Sequence, residues 1–161
     1  MLERDNEKNY RLQQKLWREF GDDIAEWVAC NNIDEIMLNP DGKLWVQHVK
    51  KGMYYSGQGL PALQAANLIG TVASLNDKVV NEHQPILECE LPFLGHRFEA
   101  VLPPVVAAPA FCIRKRASRI YSLDDYVQKG TLSADHADSL RHAIRARQTI
   151  LVTGGPNTGK T

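Results

Sequence analysis

Eight residues at the end of the chain, Gly154-Gly155-Pro156-Asn157-Thr158-Gly159-Lys160-Thr161, fit the phosphate-loop pattern G-x-x-x-x-G-K-[ST]. Each fixed position has a chemical reason. The glycines let backbone N–H groups curl around phosphate oxygens. Lys160 brings an ammonium to the β and γ phosphates, and the Thr161 hydroxyl can hold Mg²⁺. Pro156, Asn157 and Thr158 occupy positions that the pattern leaves free. The chemistry is therefore binding of nucleotide phosphates and Mg²⁺. Lys160 and Thr161 are the catalytic candidates, Thr161 is the metal ligand, and the whole octet is the nucleotide contact. The competing reading is a glycine-rich turn with no ligand.

A loop of this kind is fed by a buried parallel strand and opens a helix. Thr149-Ile150-Leu151-Val152-Thr153 is a β-branched apolar run of the right type for the strand. The sequence ends before the helix, so residues 1–161 alone are expected to bind ATP weakly or not at all.

The composition suits a soluble globular protein of one domain, or of one domain and part of a second. There are 161 residues, and 19 basic side chains balance 19 acidic ones. Zero net charge argues against a protein that coats nucleic acid. Cys30, Cys89 and Cys112 are scattered and odd in number, with no metal-ligand spacing, so reduced thiols are expected. The apolar run from Val101 to Ile113 is broken by Pro103, Pro104 and Pro109, and the charged N-terminus has no signal-peptide core.

The elements that must position any site follow from periodicity. Residues 5–31 read as helix, with Leu16, Trp17, Phe20, Ile24, Trp27 and Val28 on one face and a break at Gly21-Asp22-Asp23. A strand meander covers 35–39, 43–49 and 53–56, with Asn39-Pro40-Asp41-Gly42 as its first turn and Gly57 and Gly59 closing its third strand. A helix from about Pro61 to Asn76 has Leu63, Ala66, Leu68, Ile69 and Val72 as its apolar set. Strands are then expected at 85–91, 96–102 and 110–116. Alternation puts Phe98, Ala100 and Leu102 on one face of its strand and Arg97 on the other. Phe111 and Ile113 likewise oppose Cys112, Arg114 and Arg116. If these two strands pair, Arg97 and Arg114 share a polar surface. Ser122-Leu123-Asp124-Asp125 caps a short helix that stops at Gly130, and Ser133 caps another to about Arg147, with Ala137, Leu140 and Ile144 inward. The fold class is α+β: meander sheet, flanking helices, and a helical linker.

The order of these motifs resembles a known family. Glu35-Ile36-Met37-Leu38-Asn39-Pro40-Asp41-Gly42, Arg97 to Pro104, Phe111 to Arg116 and the loop opening at Gly154-Gly155 together resemble the type IV secretion ATPases, most closely the TrbB-type ATPases of conjugative transfer. The resemblance implies an N-terminal α/β domain (1–116), a helical linker (117–148) and the start of a RecA-like phosphate-loop ATPase domain (149–161). It implies homohexameric rings at the cytoplasmic side of the inner membrane, in contact with other secretion components. ATP would lie between the domains and power pilus assembly or the transfer of DNA or protein, with no sequence-specific nucleic-acid binding. It also implies that Arg97 and Arg114 approach the nucleotide phosphates, a role suited to guanidinium forks. The chain departs from the family at Pro156-Asn157-Thr158, where Thr-Gly-Ser is usual. The downstream acidic, glutamate and histidine motifs lie outside this sequence, so the resemblance implies an ATPase in the full-length parent and no turnover by residues 1–161. Other readings are a non-catalytic ring-assembly or docking module, and an unrelated phosphate-loop enzyme such as a nucleotide kinase. The competing reading of Arg97 is a solvated strand charge paired with Glu99 or Glu88. Lys115, Arg116 and Arg119 read as a solvated basic stretch, with acidic lipid or DNA as the sharper option. Glu82 and Glu88 read as surface.

Overall fold

The computed structural model describes residues 2–116 and 121–155. The chain divides into two compact units, Met1–Ser118 and Arg119–Thr161.

The first unit is one six-stranded antiparallel sheet with two helices. Its elements are α1 (Leu2–Ala29), β1 (Ile33–Leu38), β2 (Lys43–His48), β3 (Gly52–Gly59), α2 (Ala62–Leu75), β4 (Ile86–Glu90), β5 (Arg97–Val101) and β6 (Ala110–Arg114). Strand order is β3-β2-β1-β6-β5-β4. Two three-stranded meanders are thus joined edge to edge, with β1 and β6 antiparallel at the centre. The α2 helix lies between them in sequence.

Period-two alternation explains why the sheet has one dry face. Leu38 and Ile36 on β1, Leu44 and Val46 on β2, Leu87 on β4, Phe98 and Ala100 on β5, and Phe111 and Ile113 on β6 are all buried. They form one core with Leu16, Phe20, Ile24 and Val28 of α1 and with Ala65, Leu68, Ile69 and Val72 of α2. Trp17 and Trp27 are half-buried against it. The break in α1 falls at Gly21, whose φ of 69° and ψ of 176° interrupt the helical backbone. The apolar set of α2 needs one correction. Leu63 is 75% exposed, because it lies roughly opposite the Ala65-Leu68-Ile69-Val72 stripe on a helix of 3.6 residues per turn. The third strand also runs on through Gly57 to Gly59.

The first turn closes as its residues predict. Gly42 N–H donates to the Asn39 carbonyl at 2.9 Å, and Lys43 N–H to the Asp41 carboxylate at 3.0 Å. Gly42 has φ of 76°, the left-handed region that glycine tolerates. The end of β3 then packs directly on this turn. A Cβ on Gly59 would sit 2.9 Å from the Gly42 carbonyl oxygen, a backbone atom with little room to yield. Gly59→Ala is therefore expected to destabilise the protein by about 1–3 kcal/mol, read as a lower urea midpoint at unchanged slope. An unaltered midpoint would mean that the turn moves aside freely.

The second unit holds α3 (Leu123–Gln128) and α4 (Ala134–Arg145). Ser122 and Asp125 form a reciprocal capping box, and Ser133 caps α4 through His136 N–H. Ala137 is buried and Leu140 half-buried. Arg141 ties the helices together by donating to Asp124 and Asp138, each at 2.6 Å. Two expectations fail here. Ile144, in the last turn of α4, is 60% exposed. Ile144 is on the Ala137 side of α4, but α3 is only six residues long and is too short to cover the last turn. The expected strand over 149–153 does not form either. Those residues have no regular structure, and Ile150, Leu151 and Val152 are exposed. A parallel strand exists only through its neighbours, and no described residue pairs with this run.

Candidate functional site

Strand pairing decides the geometry of the two arginines. In the β5–β6 ladder Arg97 lies directly opposite Arg114, next to the pairs Phe98–Ile113 and Glu99–Cys112. Since Phe98 and Ile113 are fully buried, alternation turns both arginines to the opposite, solvent face. Their side chains are about two-thirds exposed, at 63% and 66%. The same register continues on both sides: Glu35 of β1 pairs with Arg114, and Glu90 of β4 pairs with Arg97. A row of alternating position and mixed sign, Glu35–Arg114–Arg97–Glu90, therefore crosses four strands. The two arginines thus stand on neighbouring strands whose backbones are about 5 Å apart, and guanidinium forks suit the oxygens of a polyphosphate.

Each arginine also has a carboxylate partner. Arg97 Nε lies 2.8 Å from Glu99 and Arg114 Nε lies 3.2 Å from Glu35. The Arg97–Glu99 pairing is the one that alternation on β5 allows. The Arg114–Glu35 pairing has no local signal, because the two residues meet only through the β1–β6 ladder. The nearest hint is that both strands alternate and both place a charge on the polar face.

The neighbouring basic residues separate into distinct jobs. Lys115 turns back to the end of α1. Its ammonium donates to the Cys30 carbonyl at 2.6 Å and the Trp27 carbonyl at 3.2 Å, serving carbonyls at the helix end. Burial holds the Lys115 pKa below the ordinary lysine value, partly offset by Cys30 and Asp34. Arg116 pairs with Glu90 at 2.9 Å, and its guanidinium lies over Gly95, where a Cβ would meet it at 2.8 Å. Its backbone N–H reaches His96 Nδ1 at 3.4 Å. Burial first, then the charges of Lys115 and Arg116, lowers the His96 pKa. A neutral ring matches its role as acceptor. Arg119, also read with this stretch, lies outside the described residues.

The thiol of Cys112 is on the arginine face, two residues before Arg114 on β6, with Met37 of β1 and Glu99 of β5 as its cross-strand partners. Burial, with Glu35 and Glu99 adding to it, pushes its pKa up to about 11. Burial also raises that of Cys89. Neither is a nucleophile near neutral pH. Glu82 and Glu88 are exposed. Of the phosphate-loop candidates, Gly154 and Gly155 are described, without regular structure. Pro156, Asn157, Thr158, Gly159, Lys160 and Thr161 lie outside the described residues. No described helix is long and apolar enough to cross a membrane.

No family model matches the chain. It is 45% identical over 151 residues to the probable conjugal transfer protein TrbB of Sinorhizobium fredii, covering 94% of this chain and 46% of that protein. It is 42% identical, with the same coverage, to the conjugal transfer protein TrbB of Rhizobium radiobacter. The chain thus spans about half the length of the curated relatives it matches. Among solved structures it superimposes on the VirB11 ATPase of the Brucella suis type IV secretion system, in complex with sulphate. The TM-score is 0.66 at 20% identity, over 96% of this chain and 52% of that one. The resemblance drawn from the order of motifs therefore holds along nearly the whole chain, and the mixed α/β fold is shared.

Proposed function

We propose that this chain is the N-terminal half of a conjugative-transfer ATPase of the TrbB and VirB11 kind, a motor that hydrolyses ATP to drive pilus assembly or transfer of DNA or protein. The observation that carries the reading is the register of β5 on β6, which sets Arg97 beside Arg114 on the open face of the sheet. Similarity to two TrbB proteins at more than 40% identity supports it, as does the phosphate-loop pattern at 154–161.

In this reading residues 1–116 are the N-terminal domain, 117–148 the linker and 149–161 the opening of a RecA-like ATPase domain. The backbone of Gly154 to Gly159 receives the phosphates, Lys160 neutralises the β and γ oxygens, and Thr161 holds Mg²⁺. The metal, when bound there, would supply positive charge against the charge developing on the phosphate oxygens. Arg97 and Arg114 add guanidinium donors to the same phosphates. The whole protein is proposed to act as a homohexamer with other secretion components, on the cytoplasmic side of the inner membrane.

The arginines supply the test. In the full-length protein, Arg97→Ala and Arg114→Ala are each expected to lower ATP turnover about ten- to a hundredfold, the usual weight of a hydrogen bond to a charged group. Both residues are exposed, so the urea midpoint should hardly move. Full turnover in both variants, alongside loss in Lys160→Ala, would remove the arginines from the mechanism.

A further inference from the structure

Two like charges directly opposite each other in a ladder repel. The sheet nevertheless places Arg97 against Arg114. It tolerates them because a carboxylate stands on each side. Glu35 is next to Arg114 in the same cross-strand row, and Glu99 is two residues along β5 from Arg97 on the same face. The two ion pairs, at 3.2 Å and 2.8 Å, leave this quartet with no net charge. Both engage Nε, one of several N–H donors on a guanidinium. All four side chains remain partly open to water, Glu35 the least at 27%.

We propose that Glu35 and Glu99 are positioning residues for the phosphate site: they hold Arg114 and Arg97 extended and neutralised when no anion is bound, and phosphate oxygens take their place when one arrives. This rests on the reading of Arg97 and Arg114 as phosphate ligands. The carboxylates fix where the guanidinium groups point. They also lower the affinity of the site, because each ion pair must open before a phosphate oxygen can enter. Removing the carboxylate charge while keeping its shape leaves the arginines uncompensated. Phosphate should then bind more tightly, and with a steeper dependence on salt, since the net charge facing it has risen.

The test follows the side-chain Nε–H signals of Arg97 and Arg114 by NMR as the full-length protein is titrated with inorganic tripolyphosphate. The signals are assigned through Arg97→Lys and Arg114→Lys. In the unmodified chain both signals should move. In the double variant Glu35→Gln/Glu99→Gln, binding should tighten about two- to fivefold, the range expected of exposed ion pairs, and should weaken faster as salt is added. Glu82→Gln removes a carboxylate before the start of β4, at the strand end away from Glu90 and Arg97, and should leave the affinity unchanged. Unchanged or weaker binding in the double variant overturns the inference while leaving the arginines as phosphate ligands. An equal gain in Glu82→Gln also overturns it, since net charge alone would then suffice. Arginine signals that stay fixed throughout the titration of the unmodified chain overturn the phosphate reading itself, and this inference with it.

Discussion

Lys160→Ala in the full-length protein is expected to reduce ATP turnover by about 100- to 1,000-fold, the cost typical of deleting one preorganised donor aimed at developing charge. The argument is electrostatic. A phosphoryl group in transfer spreads negative charge over its equatorial oxygens, and the protein's task is to hold cations there. In the pattern G-x-x-x-x-G-K-T the glycines supply backbone donors and only Lys160 supplies a formal charge from within the loop. The arginines of the sheet cannot replace it, because a guanidinium fork and an ammonium present their donors differently. Turnover measured with saturating Mg·ATP, together with nucleotide affinity from calorimetry, checks the outcome. Turnover within a few-fold of the unsubstituted protein would mean that the octet is a turn and not a nucleotide site.

The second large effect is on stability. Phe98→Ala is expected to cost about 3–5 kcal/mol, the range for deleting a buried aromatic side chain. Phe98 is fully buried, is cross-strand partner to Ile113, and stacks on Phe111 with ring centroids 5.6 Å apart. A loss of that size is a large share of the stability of any single domain. The neighbouring Arg97→Ala changes an exposed side chain and should stay within about 0.5 kcal/mol. The contrast between adjacent residues separates folding from function on one strand. Urea unfolding followed by tryptophan fluorescence measures both. A cost below about 1 kcal/mol for Phe98→Ala would show that the core is much looser than its burial implies.

What the sequence made legible was whatever repeats locally. Alternation over 97–102 and 111–116 identified the buried face of each strand, and so the side on which Arg97 and Arg114 emerge. Helical spacing picked out Leu16, Phe20, Ile24 and Val28, and the Ser122 and Ser133 caps marked where α3 and α4 begin. Contacts between distant segments were harder to read. Glu35 meets Arg114 only because β1 and β6 are central neighbours, and nothing near either residue announces that pairing. The same is true of Lys115, which looked like part of a solvated basic stretch and instead serves the end of α1. Leu63 is apolar enough to suggest an inward place, yet it faces away from the buried stripe of its helix. The run Thr149 to Thr153 has strand-forming residues, but a strand is a relation between segments, and its partners are not among the described residues.

The central placement of β1 and β6 has a consequence for how the first unit is made during synthesis. The opening meander, β1 to β3, emerges from the ribosome with one long edge of β1 unpaired, and that edge stays open until Ala110–Arg114 has been translated. Such an edge can recruit a neighbouring nascent chain, and closing it late carries the entropy of a loop some seventy residues long. The unit should therefore fold slowly for its size, with arrival of the sixth strand as the committing event.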